Sequence, residues 1–318
     1  MKSSFIFLIK LLLSVGLIAF IASYVDLTDV WQRISSVNPL WLLAALACMA
    51  GGYVLCGLRW AWIAEGLGID VSRSQKIKLY FLGMFASLFL PSTIGGDVVR
   101  GVLMAKGEHR KKLRLHAVAS VVLDRVNGLY ALVLLLTGSL MMFDWPVSLW
   151  LGWSALVLLM WGGMLAYPWV HHRLPDMLHA VKRLPLHELK FQKMWWKSLP
   201  VSFVFQLLVI QAHWSLGMAV GLEMSWFAYA VMVGLVALVA ILPISLNGFG
   251  VREAGYVGFA VFFQADAGAA TAMAALWIVV LAISALPGAW VFWQLGGVRE
   301  LERIKGEDDQ QSSRSTTR

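Results

Sequence analysis

Long apolar stretches alternate with short polar segments along most of the chain. Six of these stretches are long enough to cross a bilayer, since about 18 or more apolar residues with few charges are typical of a transmembrane helix. They lie near residues 5–24, 40–58, 117–141, 147–167, 198–221 and 271–295. The pattern predicts an all-α polytopic membrane protein with about six full transmembrane helices, the first of them retained and not cleaved as a signal peptide.

Two further apolar stretches are interrupted by proline and glycine. The first, 79–103, contains LPSTIGGDVVRG at residues 90–101, and each of its arms is too short to span the membrane alone. We expect a re-entrant helical hairpin, because irregular backbone at membrane depth has to be buried in protein or line a wet cavity. The second, 226–264, contains LPISLNGFGVREAG at residues 242–255. Here we favour another re-entrant hairpin and keep two tilted full spans as the alternative.

The charge distribution supports a membrane protein and predicts its orientation. Of the 318 residues, 59% are hydrophobic and 14% are charged, with a formal net charge of +8. Basic residues concentrate in particular loops, which argues against a nucleic-acid surface. Since cytoplasmic loops carry the excess of Lys and Arg, we place both termini and the segments 59–78, 104–116 and 168–197 in the cytoplasm. The location expected is the inner (plasma) membrane.

Four other connecting segments are acidic and are expected outside the cell. They contain five acidic residues and one basic residue, Arg33, and they comprise 25–39, 142–146, 221–225 and 264–270. With this orientation the two interrupted stretches enter the membrane from opposite sides. Pro91 and Pro243 are each followed nine residues later by an arginine, Arg100 or Arg252. Corresponding breaks in oppositely oriented halves are typical of transporters, so we predict an inverted repeat.

The breaks predict an anion site. After Gly96 and again after Gly248 a new helix is expected, whose first amides have no intrahelical partner and carry partial positive charge. An arginine there is at the unfavourable end of the helix dipole, and its burial in the membrane costs about 2.5–3.5 kcal/mol. Both Arg100 and Arg252 become understandable if a phosphate binds the free amides and the guanidinium together.

A purely structural interpretation of the same residues stays open. Asp97 fits a helix cap that pairs with Arg100 at i+3, while Arg252 pairs with Glu253 or extends toward the membrane surface. In that case the charges stabilise the helices and bind no ligand.

Other charges lie inside apolar stretches and are candidates for the same site. Asp124 and Arg125, in SVVLDRVNGLY, point about 100° apart on a helix, so each needs its own partner in the bundle. Arg59, in LCGLRWAWI, is expected to snorkel to the cytoplasmic face, with a site role as the alternative. The candidate substrate-binding residues are Arg59, Gly96, Asp97, Arg100, Asp124, Arg125, Asn247, Gly248, Arg252 and Glu253.

Enzymatic motifs are missing from the sequence. There is no P-loop, no Gly-x-Ser-x-Gly elbow and no His-Glu-x-x-His pair. The histidines between 171 and 187 have no usual metal-ligand spacing, and His213 is expected to be a hydrogen-bonded packing residue. We expect no enzymatic activity, no cofactor and no metal, although Asp97 and Asp124 leave a membrane-embedded transferase as an alternative.

Four motifs in this order resemble the lysylphosphatidylglycerol synthase transmembrane-region family, also called the flippase-like domain family. They are LRWAWIAEGLGI (58–69), LPSTIGGDVVRG (90–101), LDRVNGL (123–129) and LPISLNGFGVREAG (242–255). The resemblance implies a bundle of about eight membrane segments with re-entrant elements. In the lysyl-lipid synthases an aminoacyl-transferase domain follows. This sequence ends at residue 318, which leads us to expect lipid translocation without aminoacylation.

The expected organisation is one flippase-like domain, 1–298, followed by a disordered cytoplasmic tail, 299–318. Its halves, about 1–167 and 198–298, are joined by a cytoplasmic connector, 168–197. The expected function is translocation of an anionic phospholipid or a polyprenyl-phosphate-linked lipid. The alternatives are a membrane-embedded transferase and an accessory scaffold in envelope synthesis. The sequence identifies neither a homo-oligomer nor a partner protein.

Overall fold

A computed structural model describes residues 2–89, 95–104, 111–170, 184–242 and 248–295. All regular structure in these ranges is α-helical. Eleven described helices follow in the order α1 (Lys2–Tyr24), α2 (Leu27–Ser35), α3 (Pro39–Gly66), α4 (Arg73–Phe89), α5 (Gly95–Met104), α6 (Lys111–Leu140), α7 (Val147–Val170), α8 (Leu189–Val220), α9 (Trp226–Ile241), α10 (Val251–Phe262) and α11 (Ala267–Gln294).

The predicted number of transmembrane helices is confirmed. Five helices (α3, α6, α7, α8 and α11) are long and apolar enough to cross a membrane. The first apolar span, which includes α1, becomes the sixth when it is taken with α2, and the two are bent by 90°. Helix α2 was not predicted; Asp26 caps it by accepting a hydrogen bond from the Thr28 amide at 2.8 Å. Helix α8 starts at Leu189, so the end of the expected connector belongs to a long helix.

Both interrupted stretches form pairs of short helices. Helices α4 and α5 have 17 and 10 residues, and α9 and α10 have 16 and 12. At 1.5 Å per residue all four are shorter than about 26 Å, less than the roughly 30 Å of the hydrocarbon core. Within each pair the two helices pack against each other. We call α4 with α5 the first hairpin, and α9 with α10 the second hairpin.

The four acidic segments meet at one end of the bundle, here called the acidic end. Arg33 of α2 lies 2.7 Å from Asp29 and 3.6 Å from Asp266, and it donates a 3.1 Å hydrogen bond to the carbonyl of Val220. Phe143 also packs against Phe263, with ring centres 5.3 Å apart. Helix α9 begins and α10 ends at this end, so the second hairpin enters from here.

The basic segments meet at the other end, here called the basic end. His116, at the start of α6, lies 2.7 Å from the carbonyl of Leu67, and Gly66 is in close contact with Phe191 of α8. Leu79 and Met104 of the first hairpin share one buried cluster with Ile69. The two hairpins therefore enter from opposite ends, whereas an inverted repeat of the two halves stays a prediction.

The main apolar core lies among α3, α8, α9 and α11. Tyr229 and Met232 of α9 are fully buried there, together with Met273 of α11. Helices α3 and α8 pack along one another over a long contact, and α4 and α6 close the bundle around them. This packing brings the charged residues of α3, α5 and α6 to one shared position.

Candidate functional site

Asp124 of α6 joins two arginines from two other helices. Its Oδ1 accepts a 2.7 Å hydrogen bond from Nε of Arg59, and its Oδ2 accepts a 2.9 Å bond from Nη2 of Arg100. The Asp124 and Arg59 side chains are 1% and 6% exposed. With this arrangement each of the three buried charged groups has a nearby partner of opposite sign. The residue thereby connects α3, α5 and α6.

Asp97 of α5 extends this arrangement. Its Oδ1 lies 3.0 Å from Nη2 of Arg100, and its Oδ2 accepts a 2.8 Å bond from Nε of Arg125. Asp97 lies within the first turn of α5, and its carboxylate bonds these two arginines. We call the five residues Arg59, Asp97, Arg100, Asp124 and Arg125 the ion network.

Arg100 has the least exposed side chain of the three arginines in the ion network. Its Cζ lies 4.7 Å from the ring centre of Trp60 and 4.9 Å from that of Tyr80, so two aromatic faces cover the guanidinium. The Arg100 side chain is 3% exposed, and its Nη1 has no hydrogen-bond partner in the described part of the chain. One pair of N–H donors on a buried cation thus stays open.

Arg59 is anchored toward α8 and does not snorkel. Its Nη1 donates a 3.1 Å bond to Ser202, whose hydroxyl donates a 2.6 Å bond to Oδ1 of Asn127. The residue is 5% exposed, so the expectation that it extends to the membrane surface is wrong. The Asp124 carboxylate and the Ser202 hydroxyl satisfy its charge inside the bundle, which removes the reason to reach for water.

Glycines allow the helices to approach closely enough to form the ion network. A Cβ on Gly96 would overlap the Gly83 carbonyl and the Ser87 hydroxyl, so α4 and α5 touch backbone to backbone. Arg100, one turn beyond Gly96, lies against Gly83 of the same contact. Gly128 of α6 similarly lies beside the Arg59 guanidinium, whose Nη1 would be 3.2 Å from a Cβ added to this glycine.

Arg125 differs from the two deeper arginines. Its side chain is 63% exposed, and its one ion pair among the described residues is with Asp97. Because Nε is the atom bonded to Asp97 and most of the side chain is exposed, the Nη groups of Arg125 are accessible to a ligand.

The second hairpin presents a second accessible cation. Gly248 and Gly250 have φ angles of 82° and 81°, which glycine adopts readily, and α10 begins directly after them. Glu253 accepts a 2.6 Å hydrogen bond from the Gly250 amide and so caps α10. Arg252 is half-buried, and it has no ion pair with any described residue. The alternative in which Glu253 neutralises Arg252 is not observed.

Tyr53 of α3 interacts electrostatically with both accessible arginines, Arg125 of α6 and Arg252 of α10, which come from the first and second halves of the chain. In the ion network three guanidinium groups face two carboxylates, so one positive charge remains when all five are ionised. Both accessible cations therefore act electrostatically on the same side chain of α3.

The structure places nine of the ten candidate residues. Arg59, Asp97, Arg100, Asp124 and Arg125 form one network, with Gly96 at its hairpin contact, while Gly248, Arg252 and Glu253 lie at the start of α10. Asn247, Pro91 and Pro243 lie outside the described residues. His213 bonds the Val209 carbonyl at 2.8 Å and the Tyr256 hydroxyl at 3.0 Å, which confirms its expected packing role.

Sequence reasoning missed the uncharged partners of the ion network. Trp60 and Tyr80 cover Arg100, and Asn127 and Ser202 extend the bonds of Arg59. Asn127 lies one turn from Asp124 in the same motif, a spacing that indicates a shared helix face. Nothing in the sequence around Ser202 indicates its contact.

Comparisons with known proteins give one family. Residues 7–289 match the family described as lysylphosphatidylglycerol synthase TM region. A UPF0104 membrane protein of Methanothermobacter thermautotrophicus is 22% identical over 309 residues, covering 85% of this chain and 89% of that protein. A UPF0104 membrane protein of Archaeoglobus fulgidus is 28% identical over 93 residues, covering 29% of this chain and 28% of that relative.

Proposed function

We propose that this chain, which belongs to the lysylphosphatidylglycerol synthase TM-region family, translocates an anionic lipid between the leaflets of the membrane. The lipid is a phospholipid or a polyprenyl-phosphate-linked lipid, and the protein catalyses no chemical change in it. The membrane is the inner (plasma) membrane, with the basic end in the cytoplasm.

One observation carries the proposal: each half of the chain provides an accessible arginine, Arg125 on α6, which is bonded to Asp97 of the first hairpin, and Arg252 at the start of α10 in the second hairpin. Arg125 has both Nη groups available, and Arg252 has no ion pair among the described residues. A phosphate accepts hydrogen bonds from two such guanidinium forks at once. The excess positive charge of the ion network attracts the same anion.

Arg100 has a different part in the proposed mechanism. It holds Asp97 and Asp124 at 3.0 and 2.9 Å, and its open Nη1 is enclosed by aromatic rings. For Arg100 to contact the phosphate as predicted, the lipid phosphate has to replace the Asp97 carboxylate beside the Arg100 guanidinium. Movement of α5 against α6 makes that exchange possible and links headgroup binding to the position of the first hairpin.

To translocate the lipid, the protein has to lower the free-energy barrier for moving a charged headgroup through the hydrocarbon core. An ionised group at the bilayer centre costs at least about 2.5–3.5 kcal/mol. In the proposed path Arg125 and Arg252 replace water around the phosphate, while the lipid tails stay in the bilayer. Rocking of one half against the other would then open the path to each side in turn.

The test is reconstitution into liposomes that carry a headgroup-labelled phosphatidylglycerol. We expect the label in the inner leaflet to become accessible to an external quencher, with the lipid recovered chemically unchanged. Arg125→Gln and Arg252→Gln should each slow this exchange by roughly tenfold, the loss expected for one charged hydrogen bond. Arg73→Gln, at a 60% exposed arginine of the basic end, is the matched control and should exchange at the wild-type rate.

Exchange by wild-type protein no faster than in empty liposomes contradicts the proposal. So does conversion of the labelled lipid to a new species, which favours a transferase. Equal rates for wild type and both site variants would show that translocation uses another path.

A further inference from the structure

A groove opens on the side of the bundle between α6, α7 and α8. Its volume is about 240 Å³, and Tyr130, Gly163, Met164, Phe191 and Trp195 are among the residues that line it. Its walls are apolar and aromatic, apart from the polar tips of a few side chains. The groove is separate from the ion network, because Asp124 and Asn127 lie on the neighbouring face of α6.

The polar atoms of the groove are already bonded within the protein. The Tyr130 hydroxyl donates a 2.6 Å hydrogen bond to the Met160 carbonyl, and Nε1 of Trp195 lies 3.1 Å from the Met164 sulfur. The Gln192 side-chain amide donates a 2.6 Å bond to the carbonyl of Leu186. Tyr130 and Trp195 offer no free donor to a ligand, and Gln192, at the mouth, keeps one N–H beyond its bond to Leu186. An apolar occupant therefore fits the interior of the groove and a polar headgroup does not.

The groove faces the membrane, since α7 covers it only loosely. In the apolar part of α7 no residue is buried inside the protein, whereas in the apolar part of α6 61% of the residues are. Tyr130 and Trp195 hold α7 through Met160 and Met164, and beside these contacts the groove is open to the side. At that depth the surroundings are hydrocarbon chains.

The size and position of the groove define how a chain would lie in it. An apolar cavity of roughly 150 Å³ holds a benzene ring, so the larger groove accommodates a longer stretch of hydrocarbon. Leu186, Phe191 and Gln192 place its mouth at the basic end, and Tyr130 lies further along α6 toward the bilayer centre. A lipid in the leaflet at the basic end has its chain at this depth and in this direction.

We propose that the groove binds one acyl chain of a phospholipid from the leaflet at the basic end. The headgroup stays outside it, so binding is independent of headgroup charge and of the proposed translocation. Aromatic rings in edge-to-face contact shape the groove: Tyr130 packs edge-on against Trp161 and Trp195 at 5.2 and 6.0 Å between ring centres. We expect a lipid chain between these rings to exchange with the bilayer more slowly than a chain on the open face of α7.

Two adjacent glycines of α7 provide a matched test. Gly163 lines the groove and Gly162 does not appear in its lining, and a Cβ at either position meets nothing within 4 Å. Leucine at position 163 therefore fills the groove without a backbone clash. Leucine at position 162 adds the same apolar group to the same helix outside it.

The probe is phosphatidylcholine with a diazirine in the middle of one acyl chain, in liposomes with the full chain. After irradiation, peptide mapping should find label at Met164, Tyr130 and Trp195 in excess over Leu158 and Leu159, which are 73% and 76% exposed and report ordinary lipid contact. Gly163→Leu should lower this excess by at least about fivefold, the effect of about 1 kcal/mol of lost apolar contact. Gly162→Leu should leave it unchanged.

Several results would overturn the proposal. Label spread evenly over the groove and Leu158, or an excess that survives Gly163→Leu, means that no chain is held. An excess that disappears as the protein-to-lipid ratio is raised means that a second copy, and not a lipid chain, occupies the groove. If Gly163→Leu is poorly folded, Val126→Phe fills the groove from α6, and an undiminished excess in that variant counts against it equally.

Discussion

Nε of Arg59 lies 2.7 Å from Oδ1 of Asp124, and the two side chains are almost completely shielded from the surroundings. The pair connects α3 to α6, and the second oxygen of Asp124 connects α6 to Arg100 of α5. A charge buried at this depth is tolerated only with its partners in place. We infer that Asp124 organises the structure of the first half, whereas Arg125 beside it is free to meet a ligand.

Asp124→Asn should destabilise the protein strongly. Removal of this charge leaves Arg59 without its ion pair, and Arg100 keeps only Asp97. Breaking a buried pair by removing one partner costs about 3–5 kcal/mol. The expected result is a large drop in the thermal unfolding midpoint in detergent, measured by the exposure of the buried Cys56 to a thiol-reactive dye.

The matched control is Asp29→Asn at the acidic end, where the carboxylate that pairs with Arg33 is 42% exposed. An exposed pair contributes under about 1 kcal/mol, so this variant should unfold close to the wild-type midpoint. Equal effects of the two substitutions would show that the buried pair has no special structural role.

The architecture was predictable because its main determinant is periodic and local. Apolar runs of sufficient length gave the spans of α3, α6, α7 and α11, and the breaks gave both hairpins. Helix α2 was missed, since nine residues in a polar segment carry little apolar signal and its 90° bend is set by tertiary contacts. The start of α8 was placed late for a related reason: its first turns are amphipathic, and Pro200 lies inside the helix without ending it.

The site was only partly predictable, because the sequence of one segment does not reveal which distant segment its charged residues contact. Buried charges were recognised from their cost in an apolar environment, and Asp124 and Arg125 did find partners on another helix. Arg59 was misjudged, since a residue near a helix end and a residue facing a buried carboxylate look alike in sequence. The aromatic cover of Arg100 by Trp60 and Tyr80 depends on helix rotation, which the sequence alone does not fix.

Gly96→Ala should disrupt the first hairpin. The added methyl group would overlap the backbone carbonyl of Gly83, which cannot rotate away, so α4 and α5 must separate. Such overpacking typically costs about 1–3 kcal/mol. The measurement is the unfolding midpoint of purified protein in detergent.

Gly138→Ala in α6 is the control for that substitution, because a Cβ there meets nothing within 4 Å. Alanine favours a helix over glycine by about 1 kcal/mol, so this variant should be as stable as wild type or slightly more so. If Gly96→Ala had the same unfolding midpoint as Gly138→Ala, the result would contradict the close contact of α4 and α5.

Gly250→Ala should weaken the second hairpin by two effects. Its φ of 81° is unfavourable for alanine, and the new Cβ would lie 2.8 Å from the Ser14 carbonyl of α1. Strain of this kind costs on the order of 1–3 kcal/mol. Limited proteolysis should show faster cleavage near residue 250, whereas Gly258→Ala, with open space at its Cβ, should be cleaved as slowly as wild type.

The orientation of the two ends gives a prediction for labelling. In a background with Cys48→Ala and Cys56→Ala, Asp144→Cys should react with a membrane-impermeant maleimide added to intact cells, because it is exposed at the acidic end. Asp70→Cys, exposed at the basic end, should react only after the cells are opened. The reverse pattern would invert the topology and place both termini outside.

The bond between Asp97 and Arg125 gives the sharpest test of how the headgroup is held. Oδ2 of Asp97 lies 2.8 Å from Nε of Arg125, while Arg100 keeps Asp124 if Asp97 is neutralised. Asp97→Asn should therefore raise the net positive charge of the ion network and tighten phosphatidylglycerol binding. Arg125→Gln should weaken it, each by roughly tenfold, as expected for a charged hydrogen bond.

Binding is measured by the anisotropy of a fluorescent phosphatidylglycerol in neutral micelles, with phosphatidylcholine, a zwitterion without net charge, as the reference. Because the two substitutions act on the two partners of one bond, a purely structural bond would make them weaken binding together. Opposite shifts for the anionic lipid, with no shift for the neutral one, are expected only if Arg125 contacts the negative headgroup. If both substitutions shifted the affinity in the same direction, the bond between Asp97 and Arg125 would have a structural role only.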